Sequence, residues 1–127
     1  MTDPTHLSRR ESQIMDVIWE LGSATAAEVR ERLPDPPSYS AVRAMLRVLE
    51  EKGHLRHRSD GPRYVFSPTM PRDRARRTAL RRLVRTFFGG STENAMAALL
   101  DLDDAELDER ALERIVTRIE RAREEEP

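Results

Sequence analysis

Apolar residues in this chain recur with two periods, one helical and one of two residues. The clearest helical stretch is residues 38–53, SYSAVRAMLRVLEEKG. Val42, Leu46 and Leu49 fall at i, i+4 and i+7, with Met45 beside them. This predicts an amphipathic helix of about four turns, buried along one stripe. Ser40, Arg43, Ala44 and Arg47 take the opposite face, which is small and basic at its start and acidic at its end, where Glu50 and Glu51 lie. Gly53 stands where a helix ends in a left-handed residue. A helix buried on one side, with Ser, Tyr and Arg projecting from its first half, suits a reader of the DNA major groove. The same pattern also describes many surface helices of globular proteins, so its neighbours decide between the two.

Upstream, Ser8 and Glu11 form S-x-x-E, a capping box that opens a first helix. Residues 1–6 before it are polar and expected to fray. Ile14, Ile18 and Leu21 keep helical spacing, Met15 and Val17 widen the stripe, and Gly22 ends it. Trp19, the only tryptophan, reads as packing rather than ligand contact. Thr25 and Glu28 repeat the capping pattern and open a shorter helix ending near Leu33, with Ala26, Val29 and Leu33 inward. Pro34, Pro36 and Pro37 then force an exposed connection. After Gly53 the period becomes two. Residues 54–59 read as a strand, Asp60-Gly61 as a tight turn, and residues 63–67 as the returning strand. Tyr64 and Phe66 share one face, and Pro68 ends the strand. Three helices followed by a two-stranded hairpin is the plan of a winged helix-turn-helix.

The remainder is helical again. Pro71 suits a first helical position. Leu80, Leu83, Val84 and Phe87 form one stripe, and Arg74, Arg77, Arg81 and Arg85 another. Gly89-Gly90 breaks the chain, and Ser91 can cap a short helix carrying Ala95, Met96, Leu99 and Leu100. Asp103 with Glu106 can start a last helix whose apolar positions are Leu107, Leu112, Ile115, Val116 and Ile119. The expected fold class is therefore mainly α with a small β-hairpin wing. A winged helix-turn-helix occupies residues 7–70 and a helical region residues 71–124.

Composition adds limits. The 127 residues are 38% hydrophobic and 35% charged, with no cysteine. Disulfides, thiolate metal sites and cysteine nucleophiles are excluded. No apolar run approaches the ~20 residues of a membrane span, and the N-terminus lacks an apolar signal core, so the expected location is cytoplasmic. The net charge of −1 hides an asymmetry. Residues 1–90 hold 17 Lys and Arg against 11 Asp and Glu, whereas residues 91–127 hold 5 against 12. The basic front could meet a polyanion and the acidic tail could carry oligomer contacts, or both are ordinary charged surface.

The motifs together resemble the penicillinase-repressor family, the BlaI/MecI/CopY type of bacterial transcriptional repressor. The likeness rests on L-S-x-x-E-x-x-I-M-x-V-I-W from Leu7 to Trp19, the segment from Ala26 to Val29, and Y-S-A-V-R-x-M-L-x-x-L-E-x-K-G-x-L from Tyr39 to Leu55. It continues in D-G-x-x-Y-x-F-S-P from Asp60 to Pro68 and in F-F-G-G-S from Phe87 to Ser91. It extends to about Ile119. Such resemblance implies a homodimer whose N-terminal winged helix binds a near-palindromic operator with TACA/TGTA-like half-sites. It also implies that the C-terminal helical region, from near Pro71, makes most of the dimer. Two regulatory features of the family are missing. Antibiotic-responsive members are cut at an Asn-Phe bond late in the chain, but the stretch here is Leu99-Leu100-Asp101-Leu102, and the only asparagine, Asn94, precedes Ala95. Copper-responsive members use C-terminal cysteines, which this chain lacks. A regulatory protease or another inducer is left undefined.

For DNA, the candidate residues are Thr25, Ser38, Tyr39, Ser40, Arg43, Arg47, Arg56, Arg58 and Arg63. Arg43 is the candidate for base readout, since a guanidinium pairs bidentately with guanine O6 and N7. Ser38 and Ser40 either cap the helix alone or also touch phosphate, and Tyr39 either binds or packs. Thr25 opens a helix whose amides could hold a phosphate. Arg56, Arg58 and Arg63 surround the wing and suit phosphate or minor-groove contact. Arg9 and Arg10 are further candidates. Glu50 and Glu51 are expected at the far end of the helix, away from phosphates. The arginines at 72–85 either add nonspecific attraction, or they solvate their helix or pair with a partner's acidic last helix. The expected dimer contacts are Leu80, Leu83, Val84, Phe87, Phe88, Leu99, Leu112, Ile115, Val116 and Ile119.

No enzyme is expected. His6, His54 and His57 form no metal pattern with acidic partners, and neither a glycine-rich phosphate loop nor a nucleophile elbow is present. No cofactor is called for. The alternative reading is a winged helix used only for protein–protein contact, which the exposed arginines of the third helix and wing disfavour.

Overall fold

Two capping boxes fix the first two helices. In a computed structural model of the chain, which describes residues 6–102 and 106–125, the Ser8 hydroxyl accepts from the Glu11 amide while the Glu11 carboxylate accepts from the Ser8 amide. This opens α1, Arg9–Leu21. Thr25 and Glu28 exchange the same pair of bonds and open α2, Ala26–Arg32. Helix α3, Tyr39–Glu51, begins at Ser38, whose hydroxyl accepts from the Ala41 amide at 3.1 Å. Each satisfies amides that a helix start leaves without an intrahelical partner.

The hairpin pairs β1, Leu55–Asp60, with β2, Arg63–Pro68, in antiparallel register from Leu55 opposite Pro68 to Asp60 opposite Arg63. Pro68 is the last residue of β2 rather than the residue that stops it, and Leu33 is the C-cap of α2. A further bridge is invisible to periodicity. Ala24, in the connection between α1 and α2, exchanges both backbone hydrogen bonds with Phe66 at 2.9 and 2.8 Å. It thereby ties the wing to the base of α2.

These elements enclose one core. Ile14, Met15, Ile18, Val29, Val42, Leu46, Leu49 and Leu55 are fully buried, and each contributes on the order of 1.5–3 kcal/mol. Trp19 packs against this cluster, and its indole N–H donates to the Met70 carbonyl at 3.1 Å. Arg72 lies over the Trp19 ring and donates to the Asp16 carbonyl. The junction after the wing is thus fastened to α1. The compact unit containing the winged helix extends to Arg82, inside α4, Arg72–Phe88. Pro71 precedes α4 and accepts from the Ala75 amide through its carbonyl.

The second unit begins at Leu83. Gly89 and Gly90 both have positive φ, +57° and +85°, and the Gly90 amide bonds back to the Val84 carbonyl. This closes α4 with the backbone conformation that glycine adopts most readily. Ser91 then caps α5, Thr92–Leu100. The last helix, α6, is Glu109–Glu125. It begins later than Asp103 and Glu106 suggested: Asp108 accepts from the Ala111 amide through its side chain and from the Leu112 amide through its carbonyl. Asp103 lies outside the described residues. Leu107 precedes the helix and is exposed.

One partly buried ion pair joins the start of α1 to the end of α3. Lys52, the chain's single lysine, places its ammonium 3.0 and 3.1 Å from the Glu11 carboxylate oxygens and 3.2 Å from the His6 carbonyl. Burial pushes the Glu11 carboxyl up, but bonds from the Ser8 amide, Lys52 and the Ser8 hydroxyl outweigh it and hold the pKa below its ordinary value. A carboxylate whose folded pKa is depressed stabilises the fold above the unfolded value, about 4.3, and loses that contribution as pH falls through the folded one. Lys52→Met is expected to cost about 2 kcal/mol at neutral pH, the scale of a charge-assisted hydrogen bond. Urea unfolding across pH 7 to 3 should show wild type losing stability below about pH 4.3, and Glu11→Gln losing less over the same interval.

Candidate nucleic-acid interface

A groove of about 360 Å³ runs between the start of α2, one face of α3 and the wing. The face of α3 follows from spacing: Tyr39, Arg43, Arg47 and Glu50 stand at i, i+4, i+8 and i+11, and all four line it. Their buried counterparts Val42, Leu46 and Leu49 hold the other side of the helix in the core. The Arg43 guanidinium lies over the Tyr39 ring, 5.8 Å from its centroid. Tyr39 is half exposed.

The wing contributes through its register. His57 is opposite Phe66, and Tyr64 opposite Ser59, so all three rings share one face. The His57 ring stacks on Tyr64 with centroids 4.3 Å apart and reaches Phe66 at 5.8 Å. Its Nδ1 lies 2.5 and 2.7 Å from the Glu50 carboxylate oxygens. This contact joins the C-terminal half of α3 to the wing. Arg63 also lines the groove and pairs with Asp60 at 3.6 Å.

Of the residues expected at the interface, Thr25, Tyr39, Arg43, Arg47 and Arg63 come together here. Thr25 is almost fully buried, its hydroxyl and amide both engaged with Glu28. The bond from the Thr25 amide to the Glu28 carboxylate, followed by the nearby Thr25 side chain, holds the Glu28 carboxyl below its ordinary value. Ser38 caps α3 and Ser40 is exposed on its first turn; neither lines the groove. Arg56 and Arg58 are exposed on β1 at alternate positions to His57, on the other face of the hairpin, and do not line it either. Arg10 turns inward onto the connection between α2 and α3.

Glu50 adds a wing contact to the end of the helix where the sequence puts it. It lies toward the C-terminal end of α3 and lines the same groove as the arginines, because position 50 continues the Arg43–Arg47 spacing. His57, Tyr64 and Phe66 also line the groove without having been named as candidates. Their alternation on the hairpin carried that signal. The lining thus presents three guanidinium groups, and its one carboxylate faces a histidine. Such a surface can accept anionic oxygens and the edges or faces of planar bases. Among the described residues, no cluster of three or more His, Asp and Glu side chains could hold a metal ion. No helix among them is long and apolar enough to cross a membrane.

Comparison with known proteins shows the family. The family model described as penicillinase repressor matches residues 7–121. The chain belongs to the penicillinase repressor family. It shares 25% identity over 99 residues with the penicillinase repressor of Bacillus licheniformis, covering 76% of this chain and 77% of that one. It is also 24% identical over 97 residues to an uncharacterized 16.5 kDa protein encoded in the ptsI 3′ region of Latilactobacillus sakei, covering 75% of this chain. Its match spans 66% of that relative's length. The solution structure of the DNA-binding domain of the repressor BlaI matches at 30% identity with a TM-score of 0.49, covering 57% of this chain and 90% of that one. Penicillinase repressors are transcriptional regulators, not enzymes, and the three helices and hairpin seen here are a winged helix.

The capping role of Thr25 sets an expectation at the edge of the groove. Thr25→Ala should lower the unfolding free energy by about 1 kcal/mol in chemical denaturation, since it removes the acceptor for the Glu28 amide.

Proposed function

We propose that this family member is a sequence-specific DNA-binding repressor that grips a near-palindromic operator as a homodimer. The observation that carries the reading is the convergence of Arg43 and Arg47 from α3 with Arg63 from the wing on one groove. Residues 7–70 form the DNA-binding part. The exposed first half of α3 enters the major groove, where Arg43 reads a base edge and Tyr39, Ser40 and Arg47 flank it. Ser38 and the capped start of α2 at Thr25 face phosphate. Arg56, Arg58 and Arg63 meet the backbone or minor groove beside the wing. Glu50 gives the surface a polarity, because its charge disfavours phosphate at that end.

Residues 71–124 form the dimer. The reading is supported by large apolar side chains left in water by the single chain. Phe87 is 77% exposed, Leu99 58% and Leu80 57%. Leu83, Leu112, Val116 and Ile119 are exposed too, and Val84, Phe88 and Ile115 are only partly buried. Apolar surface on this scale is characteristic of an interaction site. On α6, Leu112, Ile115, Val116 and Ile119 follow the spacing of one helical stripe. A second copy presents the same stripe, as a two-fold interface requires.

Selection of bound sequences from a random duplex pool tests the DNA reading. The expected product is an inverted repeat, bound with an affinity that falls steeply with salt. Arg43→Ala should cost about 1–3 kcal/mol at one position of each half-site and flatten preference there. A protein that does not prefer any selected site over random duplex has no operator, and its winged helix then serves protein contact. For the dimer, sedimentation of wild type should give twice the chain mass, and Phe87→Asp or Leu112→Asp should shift the equilibrium toward monomer by roughly 2 kcal/mol or more, since each places a charge in an apolar contact.

A further inference from the structure

The connection between α2 and α3 is six residues, 33–38, of which three are proline. Pro34, Pro36 and Pro37 have no N–H, so the turn has few donors with which to fasten itself. Its carbonyls are instead held from outside. Arg10, on the first turn of α1, donates one guanidinium nitrogen to the Pro34 carbonyl at 2.6 Å and the other to the Asp35 carbonyl at 2.5 Å. The first of these nitrogens also meets Gln13 Oε1 at 3.2 Å. Arg30, on α2, donates Nε to the Pro37 carbonyl at 2.7 Å. Between them Asp35 has φ +44°, the one non-glycine residue with positive φ among the described residues. Such a conformation persists where its surroundings over-determine it. The turn leads straight into Ser38, the cap of α3, and so into Tyr39 and Arg43.

We propose that Arg10 is a positioning residue for operator recognition, acting through the carbonyls of Pro34 and Asp35 rather than by touching DNA. Its planar fork reaches two neighbouring carbonyls at once, which the single ammonium of lysine does not reproduce. By fastening the turn it sets where the N-terminus of α3 stands over the bases. The inference rests on the DNA reading given above, and its test separates the two.

Full-length wild type, Arg10→Met and Arg10→Lys are compared, with each variant's fold checked by thermal melting. Binding is measured to the selected operator and to a random duplex of equal length over a salt series. Amide exchange is followed in the free proteins at Ala41, whose N–H bonds the Ser38 hydroxyl, and at Val42, whose N–H bonds the Ser38 carbonyl. Both variants should bind the operator about tenfold more weakly, the scale of one charged hydrogen bond. Random-duplex affinity should stay within about twofold, the salt slope should be unchanged, and Ala41 and Val42 should exchange faster. A salt slope reduced by about 0.9, the signature of one lost phosphate contact, with exchange unchanged, overturns the proposal and makes Arg10 a direct contact. Arg10→Lys behaving as wild type also overturns it, since charge alone then suffices. If wild type itself does not prefer an operator, the repressor reading fails. The exchange rates then still decide the clamp: unchanged rates in both variants refute it.

Discussion

A carboxylate taken out of water must be given partners, and Glu11 meets that demand in a way that organises the first unit. It closes the capping box at the start of α1 and receives the ammonium of Lys52, just beyond the end of α3. The pair is well shielded, so breaking it leaves a charge that little solvent can reach. The residue beside it, Arg10, holds the turn that precedes α3. Two neighbouring side chains on the first turn of α1 therefore grip the chain on either side of α3. The buried stripe of Val42, Leu46 and Leu49 fixes which face of α3 is inward, while these polar contacts limit its freedom to slide and tilt.

The same logic extends to the wing. A two-stranded hairpin is marginal by itself. Here Leu55 is fully buried, Phe66 is backbone-bonded to Ala24, and His57 meets Glu50 at the far end of α3. The wing is thus joined to both of the helices that flank the groove. Arg63 on the wing and Arg43 and Arg47 on α3 are presented from one connected framework. The carboxylate within the groove is satisfied by a histidine of the wing, so the polarity of the surface comes from residues that also maintain its shape.

The second unit shows the opposite balance. In its described part only Ala95 is buried, although α5 and α6 carry many Leu, Ile and Val residues. Helices whose apolar stripes meet water gain little from the hydrophobic effect until another surface covers them. Their local signals are nevertheless sound: Ser91 and Asp108 cap, and Gly89-Gly90 turns the chain. The helices are locally encoded, while the packing energy that would secure them comes from association, in keeping with the dimer proposed for this repressor-family chain.

Local order was legible in the sequence because it is written in short-range chemistry. Capping boxes at Ser8–Glu11 and Thr25–Glu28, the period of Val42, Leu46 and Leu49, and the change to a two-residue period after Gly53 each depend on residues a few positions apart. They determined the elements, their order and the basic face of α3. What sequence reading missed lies between residues far apart in the chain. Lys52 reaches Glu11 across 41 positions, Arg10 reaches Asp35 across 25, and Ala24 pairs with Phe66 through backbone atoms that carry no side-chain signature. Spacing put Glu50 at the acidic end of the arginines' face, but its contact with His57 appears only once the wing folds back. Periodicity says which face of an element is buried. Which charged groups then meet across the fold is set by packing, and that the tertiary structure alone decided.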